Sequence, residues 1–242
     1  MKSTFYLIIA SVIALVACET RKKAAIGPTS NQLTEEQKAK GWRLLFNGED
    51  LAGWQFYKDR ESNSWEVING TLHCKAFDSA GKRADIMTIE QFDNFELAFD
   101  WKLAEQGNSG VMFRVTEEFD EPFFSGPEYQ VIDDQGYPGD PLKPSQLTAS
   151  NYDMHAAPTD KPISAVGEWN SSRLVVNGSH VEHWLNDVKV LEYELGSPEW
   201  LKLKEESKWK SENGYGMSPK GYIALQDHGS EAWYRNILIK VL

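Results

Sequence analysis

The fold class follows from two stretches of the sequence, G-N-S-G-V-M-F-R-V at residues 107–115 and G-P-E-Y-Q-V-I-D-D at residues 126–134. Both alternate with a period of two, which is the pattern of a β-strand whose two faces meet different surroundings. Each stretch therefore predicts a strand with one face against a hydrophobic core. The residues predicted to face that core are Val111, Phe113, Val115, Tyr129 and Val131.

The opposite faces of these two strands carry polar side chains. If the strands are neighbours, they place Arg114, Glu128 and Gln130 together on a face outside the core. An arginine, a carboxylate and an amide offer fixed donors and acceptors, which suit recognition of a hydroxylated ligand. A solvated Arg–Glu pair on an outer sheet face explains the same pattern. Both interpretations stay open on these residues alone.

The remaining chain carries the same kind of pattern. Asn69-Gly70 and Asn177-Gly178 are two-residue hairpin signals between alternating apolar runs. A long loop is predicted at residues 138–162, and long loops in compact domains usually belong to a functional site. A charged surface helix is predicted at residues 200–212. About a dozen short strands separated by turns predict an all-β sandwich with a short helical insertion. The other strands are predicted at residues 65–68, 71–74, 95–103, 172–176, 181–185, 188–193, 221–226 and 232–241.

The beginning of the chain predicts an export signal. Lys2 is followed by an apolar run over residues 5–16 that is too short to span a membrane, and Leu15-Val16-Ala17-Cys18 resembles the bacterial lipobox. The resemblance implies cleavage before Cys18 and acylation of that cysteine, hence an exported protein anchored by lipid. An ordinary signal peptide that ends near a cysteine is the alternative.

These signals divide the chain into three parts. We predict a lipoprotein signal peptide at residues 1–17, a flexible tether at residues 18–34 and a single domain at residues 35–242. The tether has no acidic cluster next to its first residue, which favours a lipid-anchored protein on the periplasmic side of the membrane over one on the cell surface.

The amino-acid composition limits the classes of function that the protein can have. The formal net charge is -11, which argues against a nucleic-acid partner. Nine tryptophans and 12% aromatic residues indicate a densely packed β domain or faces for stacking sugar rings. With Cys18 assigned to the lipid, Cys74 has no internal disulfide partner and is predicted to be a buried, inert thiol.

Several ordered motifs resemble the 3-keto-disaccharide hydrolase family over about residues 38–242. The resemblance implies a concanavalin-like jelly roll, with two stacked antiparallel sheets and a ligand groove on the concave one. It also implies action on glycosides whose sugar carries a ketone at carbon 3, and an oxidoreductase upstream that makes this ketone. The motifs lie at residues 41–54, 107–114, 128–134, 167–170, 181–186, 225–229 and 233–237.

The chemistry implied by the resemblance is elimination. A ketone at carbon 3 acidifies the hydrogen on carbon 2, so a base removes it, the aglycone leaves from carbon 1, and water adds to the enone. The reaction needs a base, a proton donor for the leaving oxygen and a positive group near the ketone oxygen. We assign Glu128 or His183 as base, His228 as general acid and Arg114 as the oxyanion stabiliser. Predicted substrate-binding residues are Asn108, Gln130, Lys143, His155, Glu168 and Gln226.

No cofactor is certain from the sequence. A divalent metal that polarises the ketone is an open alternative, and concanavalin-like sandwiches often carry a structural calcium. Two rival functions remain: a non-catalytic carbohydrate-binding module would show exposed aromatics and few ionisable groups, and a protein-adhesion domain would show a flat apolar patch. An enzyme requires converging Arg, Glu and His side chains. The ligand types considered for a metal are Glu128, His155, His183, Asp227 and His228.

Overall fold

The computed structural model describes residues 30–242. The predicted signal peptide, the lipidation site Cys18 and most of the predicted tether lie outside the described residues. Within that tether segment, Asn31 is buried and exchanges two hydrogen bonds with Asn236, at 2.6 Å and 2.9 Å. The folded domain therefore includes Asn31, ahead of the predicted start at residue 35.

The described chain forms two antiparallel sheets. The strands are β1 (Arg43–Leu44), β2 (Trp54–Phe56), β3 (Trp65–Ile68), β4 (Thr71–Cys74), β5 (Ile86–Thr88), β6 (Phe95–Leu103), β7 (Asn108–Val115), β8 (Glu128–Ile132), β9 (Asn170–Asn177), β10 (His180–Leu185), β11 (Val188–Glu194), β12 (Tyr222–Leu225) and β13 (Ala232–Val241). The larger sheet has eight strands in the order β11-β10-β9-β6-β13-β4-β3, with β1 paired to β13, and the smaller has five in the order β2-β5-β12-β7-β8. The prediction of an all-β jelly-roll sandwich is confirmed.

Tight turns fix the register of the larger sheet. Asn69 and Gly70 join β3 to β4 with φ of 50° and 73°, the left-handed pair that a two-residue hairpin requires. Asn186 and Asp187 join β10 to β11 in the same way, with φ of 45° and 66°. The strands predicted on either side of Asn69-Gly70 are confirmed at the predicted residues.

The core lies between the two sheets. Alternate residues of β6 are buried, and Phe99 meets Tyr129 of β8 edge-on at 5.5 Å between ring centroids. Val111 and Phe113 of β7 and Val131 of β8 belong to the same core, as predicted. Each sheet thus offers one face to the core, which leaves the outer face of the smaller sheet for other uses.

A β-bulge interrupts β7 and overturns part of the predicted alternation. Val115 pairs with Tyr222 of β12 while Met112 pairs with Ala224, so β7 holds one more residue than its partner, and Arg114 adopts a φ of 54°. The extra residue inverts the faces beyond Phe113. Val115 was therefore predicted on the wrong face: it packs with Met112 and Ala224 in a separate apolar cluster on the outer side.

The helical segments are few and short. Thr34 caps α1 (Glu35–Ala39) through a capping box with Gln37. The segment predicted as a surface helix begins with α2 (Pro198–Glu206), but Trp200 and Trp209 within it are completely or almost completely buried. The segment is therefore a docked insertion and not a surface helix. No helix in residues 30–242 is long and apolar enough to cross a membrane.

The bulge generates a stability prediction. A methyl group at Gly221 would collide with the backbone of Arg114 and Val115, whereas Gly81 has no atom within 4 Å of that position. We expect Gly221→Ala to lower the free energy of unfolding by about 1–3 kcal/mol, because overpacking forces the backbone to shift. Gly81→Ala is the matched control, and urea denaturation of both variants measures the effect. Equal stability of the two variants would contradict the close packing at the bulge.

Candidate active site

A small polar cavity lies on the outer face of the smaller sheet. Its volume is about 170 Å³, and its walls come from β7, β8, the residues after β12 and the insertion after β11. We call it the inner cavity. It is lined by Asn108, Phe123, Glu128, Gln130, Tyr152, Lys208, Trp209, Gln226 and His228.

Glu128 forms the floor of the inner cavity. It is only 2% exposed, and it lies opposite Met112 in the ladder between β8 and β7. Its side chain crosses Gly110, where any Cβ would overlap the carboxyl group, so glycine is required there. The Oε1 atom accepts no hydrogen bond from any described residue. Burial raises the pKa of Glu128 to about 8, although the positive charge of Lys208 opposes this shift.

Lys208 supplies a positive charge to the same cavity. Its ammonium group lies 4.2 Å from the ring centroid of Tyr152 and 4.3 Å from that of Trp209, which are cation–π distances. Its backbone N–H donates to Asp153 Oδ2 at 3.0 Å. Burial lowers the pKa of Lys208, and the nearby Glu128 charge partly offsets this. The cavity is thus lined by two ionisable groups of opposite charge type.

An aromatic stack holds the insertion that carries Lys208. Trp209 stacks on Tyr215 at 4.5 Å with an interplanar angle of 9°, and Trp200 lies against the same tyrosine at 5.9 Å. The Tyr215 hydroxyl donates to Asn151 Oδ1 at 3.1 Å, and the Trp209 indole donates to the carbonyl of Tyr152 at 3.0 Å. Because these rings are buried, they fix Lys208 without help from a regular helix.

The mouth of the inner cavity carries amide and imidazole groups. Asn108, Gln130 and Gln226, which the sequence suggested as substrate-binding residues, line the inner cavity, and Asn108 Oδ1 is buried without a hydrogen-bond partner among residues 30–242. His228 is exposed there and meets Tyr137 edge-on at 6.1 Å. Partial desolvation of its ring, with a smaller contribution from Lys208, lowers the pKa of His228, so the imidazole is neutral at neutral pH.

His183 does not belong to this site, and its assignment as a base is wrong. It lies on β10 in the larger sheet, whereas Glu128 lies on the smaller one, and its ring is completely buried in the core. Nδ1 donates to the carbonyl of Ala149 at 2.9 Å, and Nε2 accepts from the Tyr193 hydroxyl at 3.3 Å. Burial lowers the pKa of His183 to about 3. Its role is to join the larger sheet to the loop that carries Ala149.

Arg114 was also assigned wrongly. The bulge turns its side chain away from the inner cavity, and its guanidinium donates to the carbonyl of Gly178 at 2.7 Å and lies 3.7 Å from Asp93 Oδ1. Gly178 belongs to the turn between β9 and β10, at the opposite sheet. Arg114 therefore links the two sheets and cannot reach a ligand above Glu128. The positive group of the cavity is Lys208.

Three predicted substrate-binding residues lie elsewhere. Lys143 is exposed and pairs with Asp153 at 3.5 Å. His155 stacks on Tyr193 at 4.5 Å, and burial lowers its pKa to about 4. Glu168 lines a different cavity of about 580 Å³ at one end of the sandwich, which we call the end cavity. None of the three lines the inner cavity.

No three of the residues considered as metal ligands lie close enough together in the described chain to share an ion. The one group there with three ligand atoms within 4.8 Å is His180, Glu182 and Glu192, on β10 and β11. Lys189 already pairs with both glutamates, at 3.4 Å and 2.5 Å. Asp227 instead accepts hydrogen bonds from Arg83 and lies 3.4 Å from the buried thiol of Cys74, whose pKa burial raises.

Sequence reasoning missed four residues of the inner cavity: Phe123, Tyr152, Lys208 and Trp209. Lys208 and Trp209 belong to the segment predicted as a charged surface helix. The signal that could have found them is the presence of two tryptophans in this charged segment, since large aromatic side chains seldom remain in solvent.

A β-sandwich with a carboxyl, an ammonium and an imidazole around a sugar-sized cavity has the ionisable groups of an enzyme for small hydroxylated ligands. Residues 41–240 match the family described as the 3-keto-alpha-glucoside-1,2-lyase-like domain. The chain belongs to this family. The prediction of a glycosidase-like hydrolase is confirmed.

Relatives cover nearly all of the chain. A 3-keto-disaccharide hydrolase of Bacteroides thetaiotaomicron is 32% identical over 100% of both chains. A crystal structure of a candidate glycosyl hydrolase from Parabacteroides distasonis is 38% identical, with a TM-score of 0.82 over 88% of this chain and 100% of that one. A second such structure from the same species is 26% identical, with a TM-score of 0.65 over 83% and 99%.

The structural role of His183 in the core can be tested. His183→Phe keeps a ring in the core but leaves the Ala149 carbonyl without its donor, so we expect a loss of about 1–3 kcal/mol in the free energy of unfolding. The folded variant should turn over substrate within about twofold of the wild type, because the ring does not touch the cavity. Denaturation and kcat measured on the same preparation check both parts. A stable variant with little activity would restore a catalytic role.

Proposed function

We propose that this protein cleaves 3-keto-glycosides, with 3-keto-disaccharides as the substrate class, by elimination across carbons 1 and 2 followed by hydration. The observation that carries the proposal is Glu128, a buried carboxyl that lines the same cavity as Lys208 and has an oxygen without a hydrogen-bond partner among the described residues. The name of the Bacteroides relative and the lyase activity in the family description support the substrate class and the elimination.

Glu128 and the substrate ketone carry the elimination. Glu128 takes the proton from carbon 2, and the electron pair of that C–H bond enters the enolate of the ketone. The C1–O bond then breaks, its electron pair leaves with the aglycone oxygen, and that oxygen takes a proton from a water molecule. The hydroxide that remains adds at carbon 1 of the enone, and Glu128, whose carboxyl proton exchanges with solvent, returns a proton to carbon 2, which gives the free 3-keto sugar. The geometry of two carboxylates required by ordinary glycosidases is not needed.

Lys208 takes the role first given to Arg114. Negative charge develops on the ketone oxygen when carbon 2 loses its proton, and a desolvated ammonium group stabilises such charge more strongly than one in water. The flanking Tyr152 and Trp209 rings exclude water from one side of the ammonium group. Lys208 and Glu128 line the same cavity, so a sugar ring bound there meets both the base and the cation.

His228 acts on the leaving oxygen as a neutral donor. The lowered pKa favours the neutral imidazole, so His228 offers an N–H hydrogen bond to the leaving oxygen in place of the proton transfer by a general acid that the sequence predicts. The electron pair of the enolate expels the aglycone, and this hydrogen bond stabilises the charge that develops on the aglycone oxygen.

The converging ionisable groups also separate this proposal from a carbohydrate-binding module on the same fold. Such a module needs exposed aromatic platforms, whereas Trp209, the tryptophan of the inner cavity, is 2% exposed. The raised pKa of Glu128 and the lowered pKa of Lys208 are typical of catalytic pairs.

The reaction type is tested with a 3-keto-glucoside beside its unoxidised parent in deuterated water. We expect the enzyme to cleave the 3-keto-glucoside and not its parent, because the ketone provides the acidity at carbon 2. We also expect deuterium at carbon 2 of the product. Mass spectrometry and proton NMR measure both. Rapid hydrolysis of the parent, or a product without deuterium, would show ordinary glycosidase chemistry instead.

The role of Glu128 is tested by substitution and by pH. Glu128→Gln keeps the volume of the side chain and removes the base, so kcat/KM should fall by about 10²–10⁴-fold. In the wild type kcat/KM should rise with pH through about 8, since the carboxylate is the active form. A rate that falls over this range would make Glu128 a proton donor. Lys208→Met should move the rise to higher pH, because the positive charge no longer favours the carboxylate.

Glu128→Gln should also change stability with a defined sign. A carboxyl with a raised pKa binds its proton more tightly in the folded than in the unfolded chain, so the wild type loses stability as pH rises from about 5 towards 8. The variant lacks this loss. It should therefore become progressively more stable than the wild type over that range, as measured by urea denaturation at several pH values. A constant difference would contradict the raised pKa.

The cellular setting is part of the proposal. The lipobox-like Leu15-Val16-Ala17-Cys18 supports a lipid-anchored exported enzyme on the periplasmic side, and the 3-keto substrate requires an oxidoreductase that oxidises carbon 3 of a glycoside beforehand. Cys18→Ser should move the protein from the membrane fraction to the soluble fraction without loss of activity. Fractionation and mass spectrometry of residue 18 check this. An unmodified Cys18 in the membrane-bound wild type would contradict the anchor.

A further inference from the structure

The inner cavity is too small for a whole disaccharide. Its volume is about 170 Å³, whereas sites for drug-sized ligands start at roughly 300 Å³. One sugar ring fills it. A second sugar must therefore lie outside, on the side towards which the glycosidic oxygen points.

A second cavity adjoins the inner one at His228. Its volume is about 380 Å³, and it lies between the turn after β6, the residues after β8 and the loop between β12 and β13. His228 lines both cavities, whereas the end cavity shares no lining residue with the inner one. We call this second space the outer cavity. Its lining includes Glu105, Gln106, Tyr137, Ser230 and Glu231.

Backbone hydrogen bonds hold the walls of the outer cavity in place. The buried carboxylate of Asp133 accepts from the backbone of Gln106 at 2.9 Å and of Gly136 at 2.8 Å. The Tyr137 N–H donates to the Asp133 carbonyl at 3.1 Å, and the Ala104 N–H donates to the Glu231 carbonyl at 3.1 Å. One aspartate thus fixes two of the three walls, so the cavity is preformed.

We propose that the outer cavity is the leaving-group subsite and that it takes a neutral second sugar. This inference rests on the proposed function. Glu105, Gln106 and Ser230 offer acceptors and donors for hydroxyl groups, and Tyr137 offers a ring beside His228. The carboxyl groups of Glu105 and Glu231 repel an anionic aglycone such as a uronate or a phosphate. With one ring in each cavity, His228 lies at the glycosidic oxygen.

The test compares two substrates on a cavity-filling variant. Ser230→Trp places a large side chain in the outer cavity, and Ser171→Trp, at an exposed serine of the larger sheet, is the matched control. We expect Ser230→Trp to lower kcat/KM for a 3-keto-disaccharide by about tenfold or more and to leave the methyl 3-keto-glucoside of the same anomer within about twofold. Ser171→Trp should affect neither substrate.

Glu105→Gln provides a second test of the outer cavity if Ser230→Trp does not fold. Glu105→Gln removes a charge from an exposed residue, so it should raise kcat/KM for a 3-keto-glucoside with a uronate aglycone more than for the neutral disaccharide. Equal changes for both substrates in either variant would overturn the subsite while leaving the proposed function intact. Failure of the wild type to cleave both 3-keto substrates would overturn the proposed function and this inference with it.

Discussion

The site depends on how the open edge of the smaller sheet is covered. β8 is the edge strand, and the loop at residues 149–152 pairs with it: Ala149 N–H donates to the Gln130 carbonyl at 2.8 Å, and Tyr152 N–H donates to the Glu128 carbonyl at 3.1 Å. An uncovered edge would expose unpaired backbone groups to solvent and to other chains. Because the loop covers this edge, Glu128 is buried, and burial raises the pKa of its carboxyl group.

Covering the edge also brings in the insertion that carries Lys208. The same loop binds the insertion through Asp153 and the carbonyl of Tyr152, and the stacked rings of Trp209 and Tyr215 complete the attachment. Holding a carboxyl and an ammonium group out of water costs stability, and neither group is fully compensated in the described chain. The rest of the sandwich offsets this cost through its large aromatic core.

The two sheets contribute differently to the structure. His183 of the larger sheet binds the covering loop, and Arg114 of the smaller sheet binds the turn between β9 and β10, so both residues hold the sandwich together. The smaller sheet presents the polar groups on its outer face. This separation explains why polar residues in the matched motifs fall into two sets, one that maintains the fold and one that faces the cavity.

The sequence by itself determined the all-β sandwich and most strand positions, because period-two alternation and Asn-Gly turns are local signals that tertiary packing preserves. Of the site residues proposed from the sequence, Asn108, Glu128, Gln130, Gln226 and His228 line one cavity. Only the tertiary structure decided the rest. The β-bulge in β7 directs the Arg114 side chain away from the inner cavity. His183 lies in the larger sheet and its ring is in the core, and Lys208 lies about eighty residues beyond Glu128 in the sequence. Alternation in one strand cannot reveal a bulge or the sheet to which the strand belongs, since both depend on contacts between residues far apart in the chain.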